Sequence, residues 1–144
     1  MNRFNLRAAV FLLLVQDDKV LLIRRSNTGW CDGRYDLPAG HIDGGEYLSE
    51  AMVREAHEEI GISFKREDAE FVFVAHFKDP KEEYINVAFR VKTWTGEPRN
   101  MEPHKHDDLQ WFDLDALPEL LTPGTRAILE GYKSGTQYAE ITLP

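Results

Sequence analysis

Residues 40–62 read GHIDGGEYLSEAMVREAHEEIGI, and this stretch constrains the fold more than any other. It opens on a sharp turn signal, Asp43-Gly44-Gly45, and then sets Leu48, Met52, Ala56 and Ile60 at four-residue spacing, one apolar face of a helix. Gly61 stands where such a helix stops. The pattern predicts a helix over 47–60. At about 100° per residue, Glu55, Glu58 and Glu59 fall within an arc of roughly 100° beside the apolar stripe. Carboxylates crowded in this way repel, raise one another's pKa and destabilise the helix unless a cation compensates. Hard divalent ions such as Mg²⁺ do so, because they prefer oxygen ligands and keep waters for substrate phosphates. For any single Glu a solvated helix face is the ordinary reading. The set differs, because Glu55 and Glu59 lie on the side that the apolar stripe carries toward a core.

The rest of the chain reads as strands and short connections. Residues 8–15 form the longest apolar run, and they are too few to span a membrane. Arg3 and Arg7 precede the run as in a signal peptide, but Gln16-Asp17-Asp18 stands where a small-residue cleavage site belongs, so the run reads as a buried strand. Further strands are expected over 20–25, 69–78, 84–94 and 109–114, with a loop at 26–34 and a last helix over 124–132. Ile85, Val87, Phe89 and Val91 alternate, which implies one buried face. Asp115 is placed to cap a helical turn ended by Pro118. The expected architecture is α/β, a mixed sheet covered by helices, in one domain over 1–144.

Charge and cysteine content narrow the function classes. Seventeen basic against 25 acidic side chains give a net charge of −8, which opposes binding to a nucleic-acid backbone. An acidic protein that handles phosphates needs cations at its site. The lone Cys31 cannot form an internal disulfide and is compatible with a reducing cytoplasm, where the chain is expected.

The segment 40–62 resembles the Nudix box: Gly40, five residues, Glu46, seven residues, Arg54-Glu55, an aliphatic place held by Ala56, one residue, Glu58-Glu59, one residue, Gly61 and the aliphatic Ile62. Seven fixed positions, each of a type used at roughly 5–7%, would coincide by chance on the order of once in 10⁹ windows. The resemblance implies an α/β/α sandwich and a Mg²⁺-dependent hydrolase, with Mn²⁺ as a substitute ion. It implies that the backbone carbonyl of Gly40 and the side chains of Glu55, Glu58 and Glu59 are metal ligands, and that Glu46 and Arg54 form a supporting ion pair. The family's general base is a box Glu or an acid from a later loop, and over 100–108 Glu102 is the choice for that acid. Many family members are dimers, so a homodimer is expected. Ala39 stands where many members carry a second Gly.

Outside the box the signals thin. Arg24 and Arg25 end a strand just before the active-site loop, where a guanidinium can hold a phosphate bidentately, and strand alternation lets only one of them face the site. Tyr35, Trp30 and Phe77, and less so Trp111, are candidates to stack on a base. His104 and His106 read as surface residues and His57 as an exposed spectator.

Family members act on nucleoside triphosphates, dinucleotide polyphosphates, ADP-ribose, coenzyme A and capped RNA. The ADP-ribose type often carries a Pro where this chain has Lys78, with Pro80 close by; the dinucleoside-polyphosphate type often carries a Tyr near there, and the nearest is Tyr84. The resemblance therefore points first to a nucleoside di- or triphosphate, cleaved to a monophosphate plus pyrophosphate or phosphate, and second to ADP-ribose, a nucleotide sugar or a dinucleoside polyphosphate. A non-catalytic nucleotide sensor on this fold would be expected to have lost box acids, and an RNA 5′-end hydrolase to show a basic surface.

Overall fold

The computed structural model describes residues 3–144; Met1 and Asn2, the start of the expected domain, lie outside the described residues. Strand β1 (Arg7–Gln16) turns back into β2 (Lys19–Arg25) through Asp17 and Asp18. Both aspartates have positive φ, 52° and 59°, the backbone of a two-residue hairpin turn whose twist matches the strands. Then follow β3 (Tyr35–Asp36), β4 (Ala39–His41), α1 (Leu48–Ile60), a 3-10 turn (Arg66–Asp68), β5 (Glu70–Lys78), β6 (Glu83–Val91), β7 (His106–Asp113), α2 (Pro123–Ser134) and β8 (Tyr138–Thr142).

Strand β1 is the hub. It runs parallel to β6 from Arg7 to Leu14, antiparallel to β4 at Ala9 to Phe11, and meets β2 only at Val15 and Gln16. Strand β5 joins β6 antiparallel and β8 parallel, while β2 diverges to pair with β3 and β7. Among the described residues the result is one mixed eight-strand sheet. Alternation along β1 sends Val10, Leu12 and Leu14 to one face and Phe11 and Leu13 to the other. Ala51, Met52, Ala56 and Ile60 of α1 pack on the first face, and Ile128 and Leu129 of α2 on the second. The fold is the expected helix-covered α/β sandwich. Met52 is fully buried, and truncating such a side chain to Ala costs about 2–5 kcal/mol, so the position of α1 is firmly held.

Several expectations need correction. Strands β3, β4 and β8 were not predicted, because two to five residues carry too little periodicity and pair only once the fold brings partners near. Strand β6 ends at Val91 rather than at 94, and β7 begins at His106 rather than 109, its polar start paired to Arg24 and Arg25. Asp115 lies in a turn and caps no helix. Strand β6 is buried on both faces: Asn86 and Ala88 are as covered as Val87 and Phe89, because helices pack on both sides of the sheet. No helix among the described residues is long and apolar enough to cross a membrane.

Candidate active site

Helix α1 is closed at both ends. The Glu50 side chain accepts from the Tyr47 N–H at 2.8 Å, and Gly61, at φ 72°, donates its N–H to the His57 carbonyl at 3.1 Å. With its apolar stripe seated on the sheet, its acidic flank is aimed at β4. Glu59 is 6% exposed and accepts the Ala39 N–H at 2.8 Å. Burial pushes its pKa well above the usual carboxylate range, and the charges of Glu55, Asp36 and Glu102 push the same way. Glu55 lies against Gly40 so closely that any β-carbon at residue 40 would overlap its carboxylate and push it from this position. Burial also raises the pKa of Glu55, opposed by Arg54 and reinforced by the charges of Glu58 and Glu102. Glu58 stands farther out, with its side chain 53% exposed and 3.5 Å from Arg54.

Arg54 ties this flank to the preceding loop. Its Nε and Nη2 donate to the two carboxylate oxygens of Glu46 at 3.1 and 2.7 Å, Nη2 also reaches the His41 carbonyl at 3.1 Å, and Nη1 donates to Glu55 at 2.8 Å. Two parallel bonds from a planar guanidinium fix direction as well as distance. Arg54 holds the carboxyl of Glu46 below its ordinary pKa. His57 is exposed, as expected.

The backbone that these acids touch forms one wall of a cleft of about 400 Å³, lined by Ala39, Gly40 and His41 together with Phe11, Phe77, Tyr84 and Asn86. Of the two candidate arginines, Arg25 lines it. Its Nε donates to the Trp30 carbonyl at 2.8 Å, Nη2 to the Thr28 hydroxyl at 3.0 Å, and its guanidinium lies 5.0 Å from the Trp30 ring centre. Nη1 pairs at 3.5 Å with Asp36, a buried carboxylate that also accepts from the hydroxyls of Thr122 and Thr125. Burial raises the Asp36 pKa, and the two hydroxyls oppose that. Arg24 points away, bonded to Asp107 at 2.7 Å and lying over the Tyr35 ring. Tyr35 donates its hydroxyl to Asp108, meets Phe112 edge-on and is absent from the cleft wall. Trp30 and Phe77 line the cleft, whereas Trp111 stacks on Trp94 elsewhere.

Glu102 is half-buried in the loop before β7, with its charge felt at Glu55 and Glu59 and Lys105 at 3.6 Å. His104 is exposed, but His106 is buried, contrary to the surface reading, because it opens β7 beside Arg25. Asp36 and Asn86 escaped the sequence reading. Asn86 does leave a trace as a polar residue inside the apolar run of β6, but Asp36 sits in an unpatterned loop and leaves none.

Among the described residues no three acidic, imidazole or thiol side chains converge as a ready metal cluster. What converges is the buried Glu59 and the half-buried Glu55, two carboxylates of raised pKa, with the backbone of Gly40 between the helix and the cleft. Such an all-oxygen set, in which Arg54 pairs with Glu55 and no cationic side chain pairs with Glu59 among the described residues, fits a hard divalent cation. A profile of the NUDIX domain matches residues 5–132.

The chain belongs to the NUDIX family.

Its NUDIX relatives share the architecture and much of the sequence. The crystal structure of a MutT NUDIX hydrolase from Burkholderia pseudomallei superposes with a TM-score of 0.81 at 35% identity, covering 88% of this chain and 98% of that one. The ADP-ribose pyrophosphatase of Methanocaldococcus jannaschii is 34% identical over 78% of this chain and 64% of its own length. The NAD-capped RNA hydrolase NudC of Pseudomonas aeruginosa is 32% identical over 85% of this chain. The matched region spans less than two thirds of the archaeal relative and 41% of the Pseudomonas one.

Proposed function

We propose that this NUDIX chain, acting as one domain, is a Mg²⁺-dependent pyrophosphohydrolase that cleaves a phosphoanhydride bond in a nucleoside di- or triphosphate, giving a nucleoside monophosphate plus pyrophosphate or phosphate. The observation that carries this reading is the pair of carboxylates, the buried Glu59 and the half-buried Glu55, pressed against the Ala39-Gly40 backbone that walls the cleft. Glu55, Glu58, Glu59 and the Gly40 carbonyl would hold the ion, with Mn²⁺ as a substitute. Bound there, a hard divalent ion supplies neutralisation of phosphate oxygens and lowers the pKa of a water.

The chain's own residues do the rest. Arg25, braced by Asp36 and Trp30, grips a phosphate from the cleft side. Glu102 takes the proton of the attacking water as its oxygen bonds to phosphorus and the bridging P–O bond breaks toward the leaving phosphate. Phe11, Phe77 and Trp30 give the nucleoside an apolar bed. We also propose that the chain acts in the cytoplasm, as a homodimer, on free nucleotides rather than nucleic acid; the net charge of −8 and the single cysteine support the setting and the substrate class.

A second reading, a nucleotide sugar such as ADP-ribose, draws support from the archaeal relative's name and from Pro80. The test is product release from nucleoside triphosphates, diphosphates and ADP-ribose, measured with Mg²⁺, with EDTA and after adding Mg²⁺ or Mn²⁺ back. Chelation should abolish turnover and either ion should restore it. Turnover that ignores EDTA would overturn the reading.

A further inference from the structure

The lining of the cleft holds a polar group with no partner among the described residues. Asn86 is 9% exposed, sits in β6 and faces a wall of Phe11, Phe77, Gly124 and Leu143. Its carboxamide makes no hydrogen bond among the described residues, although a buried side-chain amide normally finds a partner. Beside it is the start of α2, a helix of 12 residues. Thr122 caps this helix by accepting the Thr125 N–H at 3.3 Å, and Pro123 has no N–H. The N–H of Gly124 is left without an acceptor among the described residues, as the first turn of a helix leaves its donors. The two groups are adjacent: a β-carbon on Gly124 would stand in van der Waals contact, 3.4 Å, with the Asn86 amide nitrogen and the Phe11 ring.

From this juxtaposition we infer that Asn86 and the Gly124 N–H read the base of the nucleotide, and that they select a lactam edge, a ring carbonyl next to a ring N–H, as in guanine, hypoxanthine and uracil. The carboxamide offers one acceptor and a pair of donors in a plane, so it can pair with two adjacent base positions at once. The Gly124 N–H adds a second donor at the positive end of α2. A base carbonyl accepts from both donors while its neighbouring N–H donates to the Asn86 carbonyl. An amino-bearing edge, as in adenine or cytosine, would turn its own donors toward the helix start and leave groups unpaired, which is how a polar site rejects the wrong partner. The inference rests on the proposal that this cleft takes a nucleotide, and it counts against ADP-ribose, which carries adenine, while remaining compatible with a nucleotide sugar that carries a lactam base.

The experiment separates base reading from chemistry. Binding of GMP, IMP and AMP to the whole chain is measured by calorimetry, with hydrolysis of GTP and ATP followed in parallel. GMP and IMP should bind at least about tenfold tighter than AMP, the span expected of a good paired contact. Asn86→Leu should erase that ratio, and Asn86→Asp, whose carboxylate accepts from both the ring N–H and the amino group of guanine but from a single donor of hypoxanthine, should favour GMP over IMP, with thermal unfolding confirming that each variant is folded. Equal affinity for GMP and AMP in the wild type, or a ratio untouched by both variants, would overturn the assignment. Hydrolysis without base preference would sink this inference alone. A lactam preference with no hydrolysis would support it while removing the hydrolase reading.

Discussion

The Glu55 carboxylate fills the space that a side chain on Gly40 would need. Helix α1 and strand β4 are therefore fitted to each other through the absence of one atom, and a methyl group at residue 40 must displace either the strand or the acid. Gly40→Ala is expected to lower kcat by about a hundredfold, the cost of misplacing a reacting group by roughly 1 Å. Its unfolding temperature should fall much less, because β4 is only three residues long and packs at the edge of the core. Wild-type kcat in this variant would show that the Glu55–Gly40 fit has no catalytic role.

Glu59 is costly to bury, and that cost should be visible as a pH effect. Below about pH 4.3, the ordinary glutamate value, its carboxyl is protonated in both folded and unfolded chain. As pH rises past that value the unfolded chain ionises first, so the folded chain loses stability until Glu59 ionises in its turn, at a pKa raised by burial. Glu59→Gln removes this penalty. In metal-free buffer the Tm of the variant should gain on the wild type steadily from about pH 4 upward, while its turnover with Mg²⁺ falls by orders of magnitude. A Tm difference that does not change with pH would show that Glu59 titrates normally. Glu58→Gln, at an exposed position, should also lose turnover.

Arg54 bonds both oxygens of Glu46 through two different nitrogens, and a lysine cannot reproduce that fork. Arg54→Lys should lower the Tm by a few degrees and lower kcat as the Glu55 carboxylate loses its 2.8 Å partner. Thermal unfolding and steady-state kinetics together check this. A variant indistinguishable from wild type in both would mean that charge alone suffices at this position.

Arg25 and Asp36 should behave as a pair in which one touches substrate and the other holds it in place. Arg25→Ala is expected to raise KM for a nucleoside triphosphate by about tenfold or more, the value of a charge-assisted bond. Asp36→Asn should raise KM less, because the amide oxygen still accepts from Thr122 and Thr125 while the pairing with the guanidinium weakens. Arg24→Ala, whose partners are Asp107 and Tyr35, should leave KM alone. An equal rise in KM for Arg24→Ala and Arg25→Ala would refute the choice of Arg25.

What the sequence determined by itself is the part written in local spacing. Leu48, Met52, Ala56 and Ile60 define a helical face within four turns, and the same periodicity places Glu55, Glu58 and Glu59 on its flank before any fold is known. The strands with long apolar runs, β1, β2, β5 and β6, follow from their own residues in the same way. Tertiary structure decided everything that needs two distant segments. It turned Arg25 rather than Arg24 into the cleft, seated Asp36 between Arg25 and two threonines 86 and 89 residues away, and set the unpartnered Asn86 beside the start of α2. It also made strands of β3, β4 and β8, whose few residues have no preference strong enough to show alone. A helix face repeats every few residues, so one segment suffices to read it, whereas a cleft exists only where chain-distant walls meet, and their meeting is set by the packing of the whole core.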